Sequence, residues 1–163
     1  MKHVHIKLPF KRRLRTKTDY EARRYLLSGN TARFVVRKTN RYMIVQVVQS
    51  ENAQDKVVST TTSRELVNYG FSEGYSMKNL AASYLTGFLA ASKVKNDIKK
   101  TVLDIGMLKS SKGNRLYAVL RGAVDAGMTV PHSEEILPSM EEIKGKTKND
   151  IDKVMSKIKE SFK

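Results

Sequence analysis

The stretch Arg33-Phe34-Val35-Val36-Arg37-Lys38-Thr39-Asn40-Arg41-Tyr42-Met43-Ile44-Val45-Gln46-Val47-Val48 decides the fold. Its first seven residues alternate, with Phe34 and Val36 on one side and Arg33, Val35 and Arg37 on the other, as a strand requires. Asn40-Arg41 supplies a tight turn, and Tyr42 to Val48 follows as a second, β-branched strand. The polar run Ser50 to Asp55 predicts another turn, and Lys56 to Thr62 a third strand. Connections this short make an antiparallel meander. One face of its first strand carries arginines, so that face is expected to be wet or bound.

Beyond the meander the apolar period changes from two to about 3.6. Ser63 predicts the cap of a short helix ending near Tyr69-Gly70, and Ser76 the cap of a longer one from Met77 to about Lys95. Along the latter, Leu80, Tyr84, Gly87, Phe88 and Ala91 recur at helical spacing, and Gly87 among alanines predicts close packing on the sheet. Thr101 to Ile105 reads as a short buried strand ending at Gly106. Reached by a helical crossover, it should lie parallel to its neighbour. A loop from Met107 to Gly113 precedes a helix over Arg115 to Ala126, with Asn114 as cap and Gly127 as stop. After Pro131 come an acidic run from Ser133 to Glu142, a polar hinge from Gly145 to Lys148, and an apolar helical stripe of Ile151, Val154, Met155, Ile158 and Phe162.

Upstream, Met1 to Lys17 has neither period and is broken by Pro9, which predicts an extended arm that orders on its partner. Thr18 and Glu21 have capping-box spacing for a helix from Asp19 to Ser28, stopped by Gly29. Tyr20, Arg23, Arg24 and Leu27 share one helical side. The expected architecture is α/β: a mixed sheet of three antiparallel strands plus one parallel strand with packed helices. A basic N-terminal arm and short helix (1–30) precede the α/β domain (31–131), and a C-terminal helical extension (132–163) follows.

Charge names the partner class. Residues 1–41 hold 13 Lys and Arg against only Asp19 and Glu21, a local +11 out of a total of +15. Solvated faces usually mix their signs, whereas this segment repels itself until a polyanion neutralises it. RNA is the leading partner. The candidate contacts are Lys7, Lys11, Arg12, Arg13, Arg15, Lys17, Tyr20, Arg23, Arg24, Arg33, Arg37, Lys38, Asn40, Arg41, Lys109 and Lys112. Tyr20, Tyr25 and Tyr42 could stack on bases, although partial burial explains them as readily.

Catalysis finds little support in the sequence. With no cysteine there is no thiol nucleophile, disulfide or thiolate metal site, and no apolar run approaches the roughly 20 residues of a membrane span. No signal-peptide core, phosphate-binding loop or dinucleotide fingerprint occurs. A Mg²⁺-dependent nuclease would need clustered acids, but no spacing unites Asp97, Asp104 and Asp125. They are expected to bond loop amides or to pair with Arg115 or Arg121. His3 and His5 lack a third ligand, and His132 is expected to cap a helix or bond its own backbone. No cofactor, no metal, no membrane and no small-molecule substrate is expected. The alternatives are a metal-dependent nuclease and a non-specific basic RNA chaperone.

Several segments together resemble one family. They are Lys11-Arg12-Arg13 with Thr18-Asp19-Tyr20, Arg33 to Asn40, Tyr69-Gly70, Ala82 to Ala90, Val102 to Gly106, Gly122 to Gly127 and Val130-Pro131-His132. In this order, across about residues 7 to 137, they resemble the archaeal and eukaryotic-type large-subunit ribosomal protein eighteen. The resemblance implies a ribonuclease-H-like motif used for binding without catalysis. It implies binding of 5S rRNA and its joining to 23S rRNA in the central protuberance of the cytoplasmic ribosome, near the ribosomal protein five family. By the same resemblance Lys11, Arg12, Arg13, Arg15, Arg37, Lys38 and Asn40 contact RNA. Where the family has Ser-Gly-Lys-Pro-Arg, this chain has Ser28-Gly29-Asn30-Thr31-Ala32-Arg33, and the segment after Leu137 matches poorly.

Overall fold

A computed structural model describes residues 8–51, 54–71, 74–94, 98–145 and 148–162. In chain order its elements are α1 (Lys11–Leu14), α2 (Tyr20–Ser28), β1 (Ala32–Lys38), β2 (Met43–Glu51) and β3 (Gln54–Thr62). A 3-10 helix (Ser63–Tyr69), α3 (Leu80–Val94), β4 (Thr101–Asp104) and α4 (Arg115–Asp125) follow, then a 3-10 turn (Glu134–Ile136), α5 (Met140–Lys144) and α6 (Lys148–Ser161). The sheet runs β3-β2-β1-β4, with β1 antiparallel to β2, β2 antiparallel to β3 and β1 parallel to β4. This is the expected meander with a parallel fourth strand. Its second and third strands are longer than expected, so Ser50 and Asp55 face each other as strand partners rather than lying in a turn.

Alternation sorts the sheet into two faces. Phe34 and Val36 of β1 and Met43, Val45 and Val47 of β2 point to one side, where they form a core with Ala90, Ala91 and Val94 of α3 and Leu116, Val119 and Leu120 of α4. The other side of α3 supplies Tyr84, Leu85, Phe88 and Leu89 to a second core, closed by Ile151, Val154 and Ile158 of α6. Apolar on nearly every side, α3 is the central helix of the molecule. The C-terminal stripe thus docks within the chain itself, except that α6 stops at Ser161 and Phe162 is exposed.

The glycine of α3 serves a different neighbour from the one expected. A Cβ on Gly87 would lie 1.9 Å from the Val119 carbonyl oxygen, and one on Gly122 would lie 2.0 Å from that of Tyr84. Two glycines therefore bring α3 and α4 into backbone contact, because both helices must fit side by side on a four-stranded sheet. Asn114 holds the expected N-cap position of α4, whereas two other caps move by a residue or more. Ser63 is the first residue of its helix, its hydroxyl accepting from the Met43 N–H, while Thr62 and Glu65 form the capping box. Asn79 rather than Ser76 caps α3, accepting from the Ala82 N–H at 2.6 Å. The expected end at Lys95 lies outside the described residues.

Candidate nucleic-acid interface

The described part of the basic arm, residues 8–17, is less extended than its sequence suggests. Lys11–Leu14 makes one helical turn with no buried residue, and Thr16 takes a left-handed conformation (φ 50°) that turns the chain back. Phe10 then meets the Tyr20 ring at 4.9 Å, and Arg12 Nε donates to Thr18 Oγ1 at 2.9 Å. With its hydroxyl so engaged, Thr18 is not the cap of α2. Asp19 takes that place, its carboxylate accepting from the Glu21 and Ala22 N–H groups. At the far end Gly29 is right-handed and the left-handed residue is Asn30 (φ 44°).

Helix α2 stands over the second face of the sheet, where the arginines of β1 point. Parallel pairing sets Asp104 of β4 beside Val35, hence between Arg33 and Arg37 on one face. Arg33 Nη1 donates to Asp104 Oδ2 at 2.8 Å, and Arg37 Nη2 donates to Oδ1 at 2.9 Å. The second amino group of Arg33 donates to Asp55 Oδ1 at 2.7 Å, and Arg23 of α2 donates to the other Asp55 oxygen at 3.0 Å. A chain of alternating charge thus runs Arg37–Asp104–Arg33–Asp55–Arg23, from the sheet into α2. Burial pushes the Asp55 carboxyl upward, but hydrogen bonds from Ser50, Arg33 and Arg23 outweigh it and hold its pKa below the usual value. Gly106 completes the network from the loop after β4. Its N–H donates to Asp104 Oδ1, and at φ +62° a Cβ would press to 3.0 Å from the Arg37 guanidinium carbon.

This network divides the candidate residues. Arg33 is only 4% exposed and its charge is turned inward, which corrects the expectation of a wet arginine face at that position. Arg37 keeps an exposed edge but has both amino groups bonded, to Asp104 and to the Val36 and Asp104 carbonyls. Arg23 is tied to Asp55. By contrast Lys11, Arg12, Arg13, Arg15, Lys17, Arg24, Lys38, Arg41, Lys109 and Lys112 are exposed, and among the described residues none pairs with a carboxylate. Tyr20 is half-buried under Phe10, Asn40 is exposed, and Arg24 lies over the exposed Tyr25 ring at 5.3 Å. Lys7, His3 and His5 lie outside the described residues.

Topology brings part of this set together. Because β1 and β4 are parallel, the turn carrying Lys38, Asn40 and Arg41 and the loop carrying Lys109 and Lys112 leave the sheet at the same end. Arg12 and Lys17 of the arm line a cleft with Arg37 and Gly106, which links the arm to the sheet's open face.

The carboxylates considered for metal chemistry are accounted for differently. Asp104 is a structural anion that accepts from the Gly106 loop amide, one of the expected alternatives, and pairs with Arg33 and Arg37 rather than with Arg115 or Arg121. Those two bond the Lys78 and Pro138 carbonyls instead. Asp125 accepts from the Tyr84 hydroxyl at 2.9 Å, and burial together with that carboxylate pushes the Tyr84 phenol well above its ordinary pKa. Asp97 lies outside the described residues. Among the described residues no group of three His, Asp or Glu could hold a metal ion, and no helix is long and apolar enough to cross a membrane. His132 Nδ1 is 2.7 Å from the Val130 carbonyl oxygen, a bond to its own backbone. Asp55, a turn residue by its polar sequence context, is instead the link between the sheet and α2. Extending the β2–β3 alternation to Ser50 and Asp55 is the sequence signal for it.

The family model described as ribosomal large subunit proteins 60S L5 and 50S L18 matches residues 4–101 and 95–133. The large ribosomal subunit protein uL18 of Korarchaeum cryptofilum is 49% identical over 140 residues, covering 85% of this chain and 71% of that protein. Its counterpart in Methanoculleus marisnigri is 48% identical over 139 residues, covering 85% and 78%. That of Methanobrevibacter smithii is 40% identical over 140 residues, covering 85% and 72%. The chain therefore belongs to this family of ribosomal large-subunit proteins, and its part in the large ribosomal subunit is structural rather than enzymatic.

Proposed function

We propose that this chain binds 5S rRNA and joins it to 23S rRNA in the central protuberance, beside a protein of the ribosomal protein five family. The observation that carries the reading is the set of exposed cations on the arm, on α2 and at one end of the sheet that have no carboxylate partner among the described residues. Lys11, Arg12, Arg13, Arg15, Lys17 and Arg24 neutralise phosphates on one strand of the interface. Lys38, Asn40, Arg41, Lys109 and Lys112 grip a second stretch of backbone from the end of the sheet. Contacts of this kind fix position and orientation, and recognition is of folded shape more than of base sequence.

Competition between 5S rRNA and an unrelated RNA of equal length tests the reading. Preference for 5S rRNA supports it, and equal affinities would make the protein a general RNA chaperone. Counterion release adds a second readout. With roughly 6 to 10 phosphates engaged, raising salt from about 50 to 200 mM weakens binding on the order of a thousand-fold, and a flat response contradicts the assignment.

A further inference from the structure

A cleft of about 620 Å³ separates α2 and the arm from the open face of the sheet. Val35, Val48 and Val57 form an apolar part of its floor beside the Arg33, Arg37, Asp55 and Asp104 network, and Ala22 and Leu26 of α2 form the opposing wall. No residue of α2 is buried, so this wall does not close on the floor, and the Arg23–Asp55 ion pair bridges helix and sheet. The acids that line the cleft are already engaged: Asp55 and Asp104 hold arginines, and Asp19 caps α2. Arg12 and Lys17 also line it, and neither is paired with a carboxylate. The volume falls within the range of roughly 300–1,000 Å³ that encloses small organic ligands. Apolar walls facing each other beside unspent positive charge suit a flat, mostly apolar group that carries an anion.

We propose that this cleft takes one unstacked nucleotide of the bound RNA, its base between α2 and the floor of Val35, Val48 and Val57 and its phosphate toward Arg12 and Lys17. The proposal rests on the RNA-binding reading and adds a defined subsite to it. A base pair within a helix is too broad and too firmly stacked to enter, so the occupant is a bulged or looped residue, the form in which RNA offers bases to proteins. Stacking against protein side chains tolerates any base, so the subsite selects an RNA with an extruded nucleotide at the right place rather than a particular sequence. Apolar peptide side chains would suit the floor equally, but they leave Arg12 and Lys17 without a counter-charge.

Methyl NMR of the full chain bound to a 5S rRNA transcript tests this directly. A base in the cleft shifts the Val35, Val48 and Val57 methyl resonances through its ring current. A complex that forms while those methyls keep their free-protein positions overturns the subsite and leaves the RNA-binding reading intact; failure to form the complex at all defeats that reading instead. Ala22→Trp, an exposed helix position, fills the cleft from α2, and Val57→Trp fills it from the sheet. Each lowers 5S rRNA affinity on the order of ten-fold at an unchanged unfolding midpoint. Unchanged affinity in both variants also overturns the proposal.

Discussion

Asp104→Asn separates a structural carboxylate from a catalytic one. The wild-type oxygens accept from Arg33 Nη1, Arg37 Nη2 and the Gly106 N–H, all between 2.8 and 2.9 Å. Asparagine has nearly the same shape but only one acceptor oxygen, so its amide nitrogen must face a donor whichever way it turns. Breaking a buried ion pair from one side costs about 3–5 kcal/mol. Asp55 still holds Arg33, and Arg37 is 41% exposed, so solvent recovers part of that cost. The expected loss is therefore about 3 kcal/mol, or a fall of roughly 6–12 °C in unfolding midpoint for a chain of this size. Urea and thermal unfolding followed by circular dichroism measure it. Pairing the change with Arg33→Met should recover part of the loss, since the second substitution removes the charge that the first leaves uncompensated. A single-variant cost below about 1 kcal/mol would refute the account of the network. Loss of RNA hydrolysis in the variant, with wild-type protein turning RNA over in Mg²⁺, would refute the non-enzymatic role.

Gly87→Ala puts a methyl group 1.9 Å from a backbone oxygen that cannot rotate away, so its cost should exceed the usual roughly 1–3 kcal/mol of core overpacking, read as a lowered unfolding midpoint. Gly113→Ala, where a Cβ meets nothing within 4 Å and only the backbone at φ +67° is strained, should cost less than Gly87→Ala in the same assay. Asp55 and Glu65 both have pKa values held below their ordinary 3.8 and 4.5, each because ion pairs and hydrogen bonds outweigh burial. Their contribution to stability is therefore whole above about pH 5 and is lost as pH falls through the lower folded values. A pH series of unfolding midpoints should show that loss reduced in Asp55→Asn, and an identical acid limb would contradict it. Lys38→Ala with Arg41→Ala should make the slope of log affinity for 5S rRNA against log salt shallower by about 0.7–0.9 per charge, without moving the unfolding midpoint.

What could be read from the sequence was what depends on local period and chain length. Alternation through Arg33–Val48, together with a helical crossover before Thr101, left little choice but a meander with a parallel fourth strand, and that is the sheet observed. Caps were harder, because neighbouring polar residues compete and tertiary contacts decide the winner. Thr18 loses to Asp19 because Arg12 engages its hydroxyl, and Ser63 loses to Thr62 because its own hydroxyl serves β2. Gly87 announced a close approach but not its partner, since one helix face gives no sign of whether a strand or a helix will meet it. Ion-pair partners were the least legible. That Asp104 meets Arg33 and Arg37 follows from a register of four residue pairs between β1 and β4, and nothing in either segment states that register.

That register also sets how the charge is used. A count over residues 1–41 treats every arginine as equal, whereas the fold withdraws Arg23, Arg33 and Arg37 into a lattice with Asp55 and Asp104. Arginine suits that inner position, because its planar fork satisfies two carboxylates at once where a lysine would present a single point of charge. The lattice spans β1, β3, β4 and α2, so the carboxylates that lower the protein's net charge also hold α2, with its exposed Arg24, over the sheet. Removing Asp55 would therefore raise the net positive charge and yet loosen the helix that presents part of it. Affinity for RNA should fall in that variant although simple charge counting says it should rise. The two accounts give opposite signs, so one binding measurement on Asp55→Ala decides between charge as a total and charge as an arrangement.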